Sequence, residues 1–170
     1  MRSVIVVVLG LVGSGCMIEE RRDTPPTNLP DAPVEPPRDP LFEGEAVDNL
    51  EAIAASASFR LLVDDPCPDT TAVPADVPEA YAPYAPVDAD WYGHWDCVAW
   101  RAPQPQIHWQ YRYVEGSELC AAFGCEHDAA YEVIASVDAR GDGEVSSLWL
   151  YGWDDAGEWA LSDVQAHGQF

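Results

Sequence analysis

The chain has 170 residues, and it carries thirty acidic residues against eight arginines and no lysine, which gives a formal net charge of −22 at pH 7. This charge argues against a nucleic-acid partner and against adsorption to anionic membrane surfaces, because both depend on clustered Lys and Arg. Apolar residues make up 48% of the chain and seven residues are tryptophan, which predicts one folded domain with a real core.

The first fifteen residues have the pattern of a secretory signal peptide. Arg2 precedes an apolar run from Val4 to Val12, and the small residues 13–15 lead to Cys16. A basic start, a short apolar core and a small-residue exit are typical of such peptides. The run is shorter than the about 20 residues that a membrane-spanning helix needs. We therefore predict a signal peptide over residues 1–15.

The letters GSGC at residues 13–16, together with the apolar run before them, resemble the lipobox of bacterial lipoproteins. In that family the cysteine receives a diacylglycerol and the peptide before it is removed, although Gly13 stands where the family usually has Leu. The resemblance implies acylation of Cys16, a membrane partner reached through that lipid, and a place in the cell envelope, on the outer membrane. The alternative is an ordinary secreted protein in which Cys16 pairs with another cysteine.

Residues 16–40 are predicted to form a disordered tether. The segment from Met17 to Pro40 contains seven prolines and almost no large apolar side chains. Such a segment cannot bury enough surface to offset its conformational entropy, and Pro-rich chains act as semi-rigid spacers. A lipid anchor followed by a spacer would hold a domain away from a membrane.

The folded domain is predicted over residues 41–170, and it begins with an amphipathic helix. Asp39 is suited to cap this helix and Pro40 to occupy its first position. Apolar residues recur at three- and four-residue steps, and the stripe consists of Val47, Leu50, Ala54, Ala57 and Leu61. We expect this helix to lie across a sheet.

The rest of the domain is predicted to be one irregular stretch followed by strands. Residues 64–93 are rich in Pro, Ala and Asp and keep no period, which indicates a long loop. Short apolar or alternating segments then predict strands at 95–100, 106–116, 131–139, 145–153 and 158–168. Turns are predicted at 139–145 and at 154–158. The predicted fold class is α+β, with one N-terminal helix packed on an antiparallel sheet of four to five strands.

Four cysteines remain once Cys16 is set aside, and an even number in an exported domain predicts disulfide bonds. Three pairings are possible. We favour a local bond between Cys120 and Cys125, which leaves Cys67 to pair with Cys97. The alternative is a zinc site that uses both cysteines of CAAFGCEH together with its histidine, but its spacing matches no known zinc knuckle. We predict no metal and no cofactor.

No catalytic arrangement stands out from the sequence. No serine lies in a GxSxG motif and no histidine has the context of a catalytic triad. The segment with Asp138, Asp142 and Glu144 resembles a degenerate calcium loop, but Arg140 and Trp149 stand where that loop needs ligands, so we predict a polar hairpin turn. Hence we assign no catalytic residue. The alternative is that the protein is an enzyme, a secreted hydrolase that uses carboxylates of the 64–96 loop.

The chain is rich in aromatic residues, most of which we expect in the core. Members that remain exposed would offer a surface for stacking on sugar rings or on a partner protein. The set consists of Trp91, Tyr92, Trp95, Trp100, Trp109, Tyr111, Tyr113, Trp149, Tyr151, Trp153 and Trp159.

The helix, the cysteine-bearing loop and the last strands together resemble the globular head of myxobacterial type IV pilin-like proteins. The matching positions are Val98, Ala99, Trp100, Pro103, Tyr111, Tyr113, Ala135, Asp138, Gly141, Asp142, Gly143 and Ser147. This resemblance implies a helix laid on an antiparallel sheet. Pilins keep a long apolar N-terminal helix that assembles the filament, whereas this chain has a lipobox-like site and a proline-rich segment instead.

These features together predict a non-catalytic, lipid-anchored envelope protein. Its pilin-like, disulfide-stapled domain would serve recognition or envelope organisation, with an aromatic and acidic surface as the contact and an envelope protein or polysaccharide as the partner. A minor pilin-like component of a secretion or pilus apparatus is a further alternative.

Overall fold

The computed structural model describes residues 40–62 and 66–168. The predicted signal peptide, acylated Cys16, the tether up to residue 39 and the Asp39 cap lie outside these residues, and they stay predictions. In chain order the elements are α1 (Pro40–Leu61), a 3-10 turn (Asp88–Trp91), α2 (Trp95–Val98), β1 (Gln110–Glu115), α3 (Glu118–Phe123), β2 (Tyr131–Val137), β3 (Ser146–Asp155), β4 (Glu158–Leu161) and β5 (Gln165–His167). The α+β class is confirmed.

The five strands form one open antiparallel sheet in the order β1-β2-β3-β4, and β5 also pairs with β3. The single strand predicted over 158–168 is wrong, because two short strands share that edge of β3. Ser162 is the reason for the break. Its hydroxyl oxygen, rather than a backbone carbonyl, accepts the Tyr151 amide at 3.0 Å, so the ladder stops there and resumes at Gln165.

Helix α1 lies across β2 and β3, as expected from its apolar stripe. Leu50, Ala54 and Ala57 of that stripe are buried, while Val47 and Leu61 are half-buried. Ala46 and Ile53 complete the buried face, and its small alanines let the helix backbone approach the sheet closely. No helix in the described ranges is long and apolar enough to cross a membrane.

The segment predicted as a strand at 95–100 is a helical turn instead. Trp95 and Val98 are both fully buried, and a spacing of three places them on one side of a helix. The rings of Trp91, Trp95 and Trp100 lie 5.5–5.6 Å apart. This tryptophan cluster favours the helical turn, because an extended chain would send alternate side chains to opposite faces.

The long loop covers the outer edge of β1, which would otherwise expose unpaired backbone groups. The Val73 amide donates to the Tyr111 carbonyl at 3.0 Å, and the Tyr111 amide returns the bond at 2.7 Å. Further along, Tyr84 exchanges backbone bonds with Ile107. β1 begins only at Gln110, later than the predicted strand, because its pairing with β2 begins there, opposite Ser136.

A turn within the same loop places two residues in the left-handed region. Ala80 has φ 46° and Tyr81 has φ 57°, and such a conformation costs roughly 1–2 kcal/mol per residue without glycine. The Tyr81 ring offsets this strain by stacking on Phe42 at 4.8 Å and meeting Trp109 edge-on at 5.8 Å. The turn therefore anchors the loop to the start of α1.

Candidate functional site

The four cysteines of the domain form two disulfide bonds. Cys67 is joined to Cys97 and Cys120 to Cys125, which is the pairing that the spacing favoured. Both sulfur atoms of CAAFGCEH are thus bonded to each other and are not available as zinc ligands, and among the described residues no group of three or more His, Cys, Asp or Glu is placed to hold a metal ion. The first bond closes the long loop, and the second closes a small loop on the other face of the sheet.

Asp138 organises the turn between β2 and β3. Its carboxylate accepts the amides of Asp142 at 3.1 Å and Gly143 at 2.8 Å. Desolvation alone would raise the pKa of this carboxyl, but the backbone N–H groups of residues 140–143 outweigh it and lower the pKa. Arg140 pairs with Asp142 at 3.0 Å. The predicted polar hairpin turn fits this arrangement.

The acidic residues of the long loop take part in holding the loop together. Asp69 accepts the amide of Glu115 at 2.7 Å, and Asp90 accepts the amide of Val87 at 2.7 Å. Arg101 faces the carboxylate of Asp88 in the loop at 3.3 Å and that of Asp96 in α2 at 3.7 Å. Each of these carboxylates is thus engaged in local structure. Asp64 and Asp65 lie outside the described residues, and the hydrolase alternative stays a prediction.

A polar network joins α1 to the segment that enters β1. Glu45 accepts hydrogen bonds from the backbone amide of His108 at 2.9 Å and from the Tyr111 hydroxyl at 3.1 Å, and it contacts the His108 ring at 2.7 Å. Asn49 donates to the Tyr111 oxygen at 2.9 Å. Burial raises the pKa of Tyr111, and the negative charge of Glu45 adds to the effect, so the phenol stays neutral and able to donate. Sequence reasoning missed this network, although Glu45 and Asn49 share one helix face.

Most of the aromatic set is core, so it provides only part of the contact surface that the sequence predicted. Tyr92 is 62% exposed, and Trp153 and Trp159 are half-buried. The other eight are buried: Trp91, Trp95, Trp100, Trp109, Tyr111, Tyr113, Trp149 and Tyr151. A contact surface must therefore be sought where a half-buried ring borders an opening.

Such an opening lies on the sheet face opposite α1. We call it the aromatic groove, a cavity of about 250 Å³ whose main lining residues are Glu126, His127, Tyr151, Trp153, Asp163 and Gln165. Tyr151 and Trp153 stand two residues apart on β3 and so point to the same face. Their ring centroids are 5.6 Å apart.

The loop that follows the second disulfide closes one wall of the aromatic groove. Cys125 is followed by Glu126, whose amide donates to the Tyr151 hydroxyl at 3.3 Å. The imidazole of His127 stacks on the indole of Trp153 with centroids 4.2 Å apart and planes within 11°. In the sequence, His127 belongs to the alternative zinc site and Trp153 to the aromatic set. The fold brings these two side chains into contact.

A buried carboxylate holds the start of α3, which carries Cys120 of the second disulfide. Glu132 on β2 is fully buried, and its two carboxylate oxygens accept the amides of Leu119 at 2.7 Å and Cys120 at 2.6 Å. These are among the first amides of α3, which have no partner within the helix. The Ser117 side chain, at the usual capping position, makes no such bond. Glu132 thus holds α3, and through it the disulfide loop, on the sheet. Sequence reasoning missed the role of Glu132. The signal for it is that an acidic residue stands inside the otherwise apolar run YEVIASV.

The aromatic groove has a negative lining. Glu126 and Asp163 are exposed, and no ion pair joins either carboxylate to a base within residues 40–62 and 66–168. Residues 40–170 also carry 24 of the thirty acidic residues but only four of the eight arginines. This field favours a neutral or positively charged ligand and repels an anionic one.

A second cavity, of about 300 Å³, lies within the long loop. Pro74, Pro78, Pro83 and Tyr84 are among its lining residues, and the Tyr84 hydroxyl donates to Asp90 at 2.9 Å. The aromatic groove is the stronger candidate, because it combines two rings, two exposed carboxylates and an amide in one place.

No family model, curated protein or solved structure matches the chain. The case for a function therefore rests on the residues of the aromatic groove and on the sequence of the N-terminal segment.

Proposed function

We propose that this protein is a non-catalytic, lipid-anchored component of the bacterial cell envelope, and that its folded domain recognises an envelope polysaccharide or protein through the aromatic groove. The observation that carries the recognition role is the groove itself, in which a half-buried indole borders an opening flanked by two carboxylates that form no ion pair with any described residue. Rings of this kind supply contact area, and the polar groups around them supply orientation.

The N-terminal sequence supports the anchor. The small residues before Cys16 follow a short apolar run, as in lipoproteins, and the proline-rich segment after it suits a spacer. Two disulfide bonds in the domain agree with an exported protein, because such bonds persist in oxidising compartments.

The proposed head is pilin-like, with a role in recognition rather than filament assembly. In support, α1 lies across an antiparallel sheet and a disulfide pins the loop between them. The Asp- and Gly-rich turn after β2, organised by Asp138, adds support because its sequence resembles the pilin hairpin. The chain has a lipobox-like site where pilins keep their assembling helix.

The anchor is tested by expressing the full chain in a bacterium and measuring the intact mass of the mature product. We expect a chain that begins at Cys16 with added acyl groups and fractionates with membranes, whereas Cys16→Ser should abolish both. A mature N-terminus elsewhere, without acylation, would contradict the anchor.

The recognition role is tested with the full-length Cys16→Ser protein against a panel of purified envelope polysaccharides and proteins. We expect at least one to bind, and Trp153→Ala to weaken that binding by about tenfold, since removing a stacking ring costs on the order of 1 kcal/mol or more. Tyr92→Ala is the matched control, because Tyr92 is an exposed ring outside the groove. Equal effects of the two substitutions would refute the groove as the contact.

A further inference from the structure

We propose that the aromatic groove binds a protonated amino sugar, as one residue of a polysaccharide. This inference rests on the proposed recognition function and names the ligand of the same site. Three properties of the groove carry it: the aromatic surface, the unneutralised carboxylates and the size of the cavity.

The aromatic surface suits a sugar ring. A pyranose presents an apolar face of C–H groups, and these are attracted to the negative face of an indole or phenol ring. Trp153 is half-buried on β3, whereas the neighbouring Tyr151 is buried. The exposed imidazole of His127 stacks on one face of Trp153 with the planes within 11°, so the ring surface open to a sugar is that of Trp153 and His127. The stacked imidazole and the strand backbone restrict the orientation of the indole, so little side-chain entropy is lost when a ligand binds.

The carboxylates indicate a positive charge on that sugar. Glu126 and Asp163 line the same cavity, and no arginine among the described residues forms an ion pair with either. An ammonium group placed between them gains charge-assisted hydrogen bonds, and it also gains cation–π attraction if it lies over an aromatic ring. A neutral sugar would leave both charges without a partner.

The size and the other lining groups fit one sugar residue. The cavity measures about 250 Å³, which is below the about 300–1,000 Å³ of sites for drug-sized ligands. Ser162 and Gln165 line it as well, and their hydroxyl and amide groups can hydrogen-bond to sugar hydroxyls. A lysine side chain from a protein partner would satisfy the carboxylates but would use less of the ring surface, so the groove favours the sugar.

Two oligosaccharides that differ only in charge provide the test. Glucosamine oligomers carry ammonium groups, and N-acetylglucosamine oligomers of the same length do not. We expect the full-length Cys16→Ser protein to bind the glucosamine oligomer at least tenfold more tightly in calorimetry at about pH 6, where the amines are largely protonated and ordinary carboxylates are ionised. Equal affinity for the two oligomers would overturn the inference.

Substitutions locate the binding. Trp153→Ala and Asp163→Asn should each weaken glucosamine-oligomer binding by about tenfold, as expected for the loss of a stacking or charged contact. Tyr92→Ala and Asp76→Asn are the matched controls, because they remove an exposed ring and an exposed carboxylate outside the groove, and they should change the affinity less than twofold. Circular dichroism and the urea midpoint show whether each variant is folded.

Further outcomes would overturn the inference. If a lysine oligomer binds as tightly and depends equally on Trp153, the occupant is a basic peptide. If all four substitutions act alike, the oligomer is held by general charge attraction. If neither oligosaccharide binds while the panel finds another ligand that depends on Trp153, the amino-sugar assignment fails and the proposed recognition function stands.

Discussion

The interaction between Glu132 and the start of α3 provides the sharpest test of how this fold supports its groove. We predict that Glu132→Ala lowers the free energy of unfolding by about 3 kcal/mol, since hydrogen bonds to a charged group contribute about 1.5–3 kcal/mol each. The carboxylate accepts two, from the amides of Leu119 and Cys120. We take the lower end of the range, because removing a fully buried charge also relieves its desolvation.

The substitution Glu132→Gln refines the prediction. The amide keeps one acceptor oxygen, but its NH₂ group then faces the second backbone donor and the charge is lost. We therefore expect a loss of about half that of the alanine variant, roughly 1.5 kcal/mol. The measurement for both is urea denaturation, in which the midpoint should fall while the m-value stays constant.

Glu118→Ala is the matched control, because Glu118 lies in the first turn of the same helix. It pairs with Arg112 at 2.7 Å, and its side chain is half exposed, so its removal should cost about 0–1 kcal/mol. If Glu132→Ala costs no more than Glu118→Ala, the buried carboxylate does not hold α3 and the reasoning is wrong. A fall in m-value would point instead to a change in the denatured state.

Two further predictions concern the disulfides and the buried tyrosines. Replacing Cys67 and Cys97 by alanine should lower the free energy of unfolding by about 3–4 kcal/mol, because the bond closes a loop of 30 residues; a loss below about 1 kcal/mol in urea denaturation would contradict this. Burial raises the pKa of Tyr131 to about 12, although its hydrogen bond with Ser58 partly lowers it. The fold favours the neutral phenol, so this contribution to stability is fully present below pH 10 and is lost as the pH rises through about 12. Urea midpoints from pH 9 to 12 should fall above pH 10, where the tyrosines of the unfolded chain ionise. Because the pKa values of Tyr111 and Tyr113 are also raised, Tyr131→Phe is the comparison: it should show a smaller fall, and an equal fall in both proteins would refute the assignment.

The parts of the fold that follow from local periodicity could be predicted from the sequence. The steps between Leu50, Ala54 and Ala57 mark the buried face of α1, and the alternation over 131–137 marks β2. The longer turn after β2 and the two-residue turn before Glu158 were recognisable because both place glycines at positive φ, namely Gly141, Gly143 and Gly157. The even count of cysteines predicted disulfide bonds, because the cysteine spacing and the expected oxidising compartment are both judged from the sequence.

The parts that depend on contacts between distant segments could not be predicted. The segment around Trp95 is apolar, which suits a strand or a buried helical turn equally, and only the neighbouring tryptophans decide between them. α3 has six residues, which are too few for a periodic signal. Its first turn is held by Glu132, which lies on β2. For the same reason the aromatic groove was not foreseen, because His127, Trp153 and Asp163 lie far apart in sequence.

The two faces of the sheet are stabilised by different sets of interactions, and this separation has a consequence for function. On the α1 side, the Cys67–Cys97 bond and the Glu45 network hold the helix and the long loop on the main core. On the other side, the Cys120–Cys125 bond closes a loop of only five residues, which corresponds to about 2 kcal/mol in the chain-entropy model. Loss of this second bond should therefore displace His127 from Trp153 and weaken ligand binding while the α1 side stays folded. The wall of the groove that carries Glu126 and His127 therefore lies outside the main core, which suits the recognition role proposed for it.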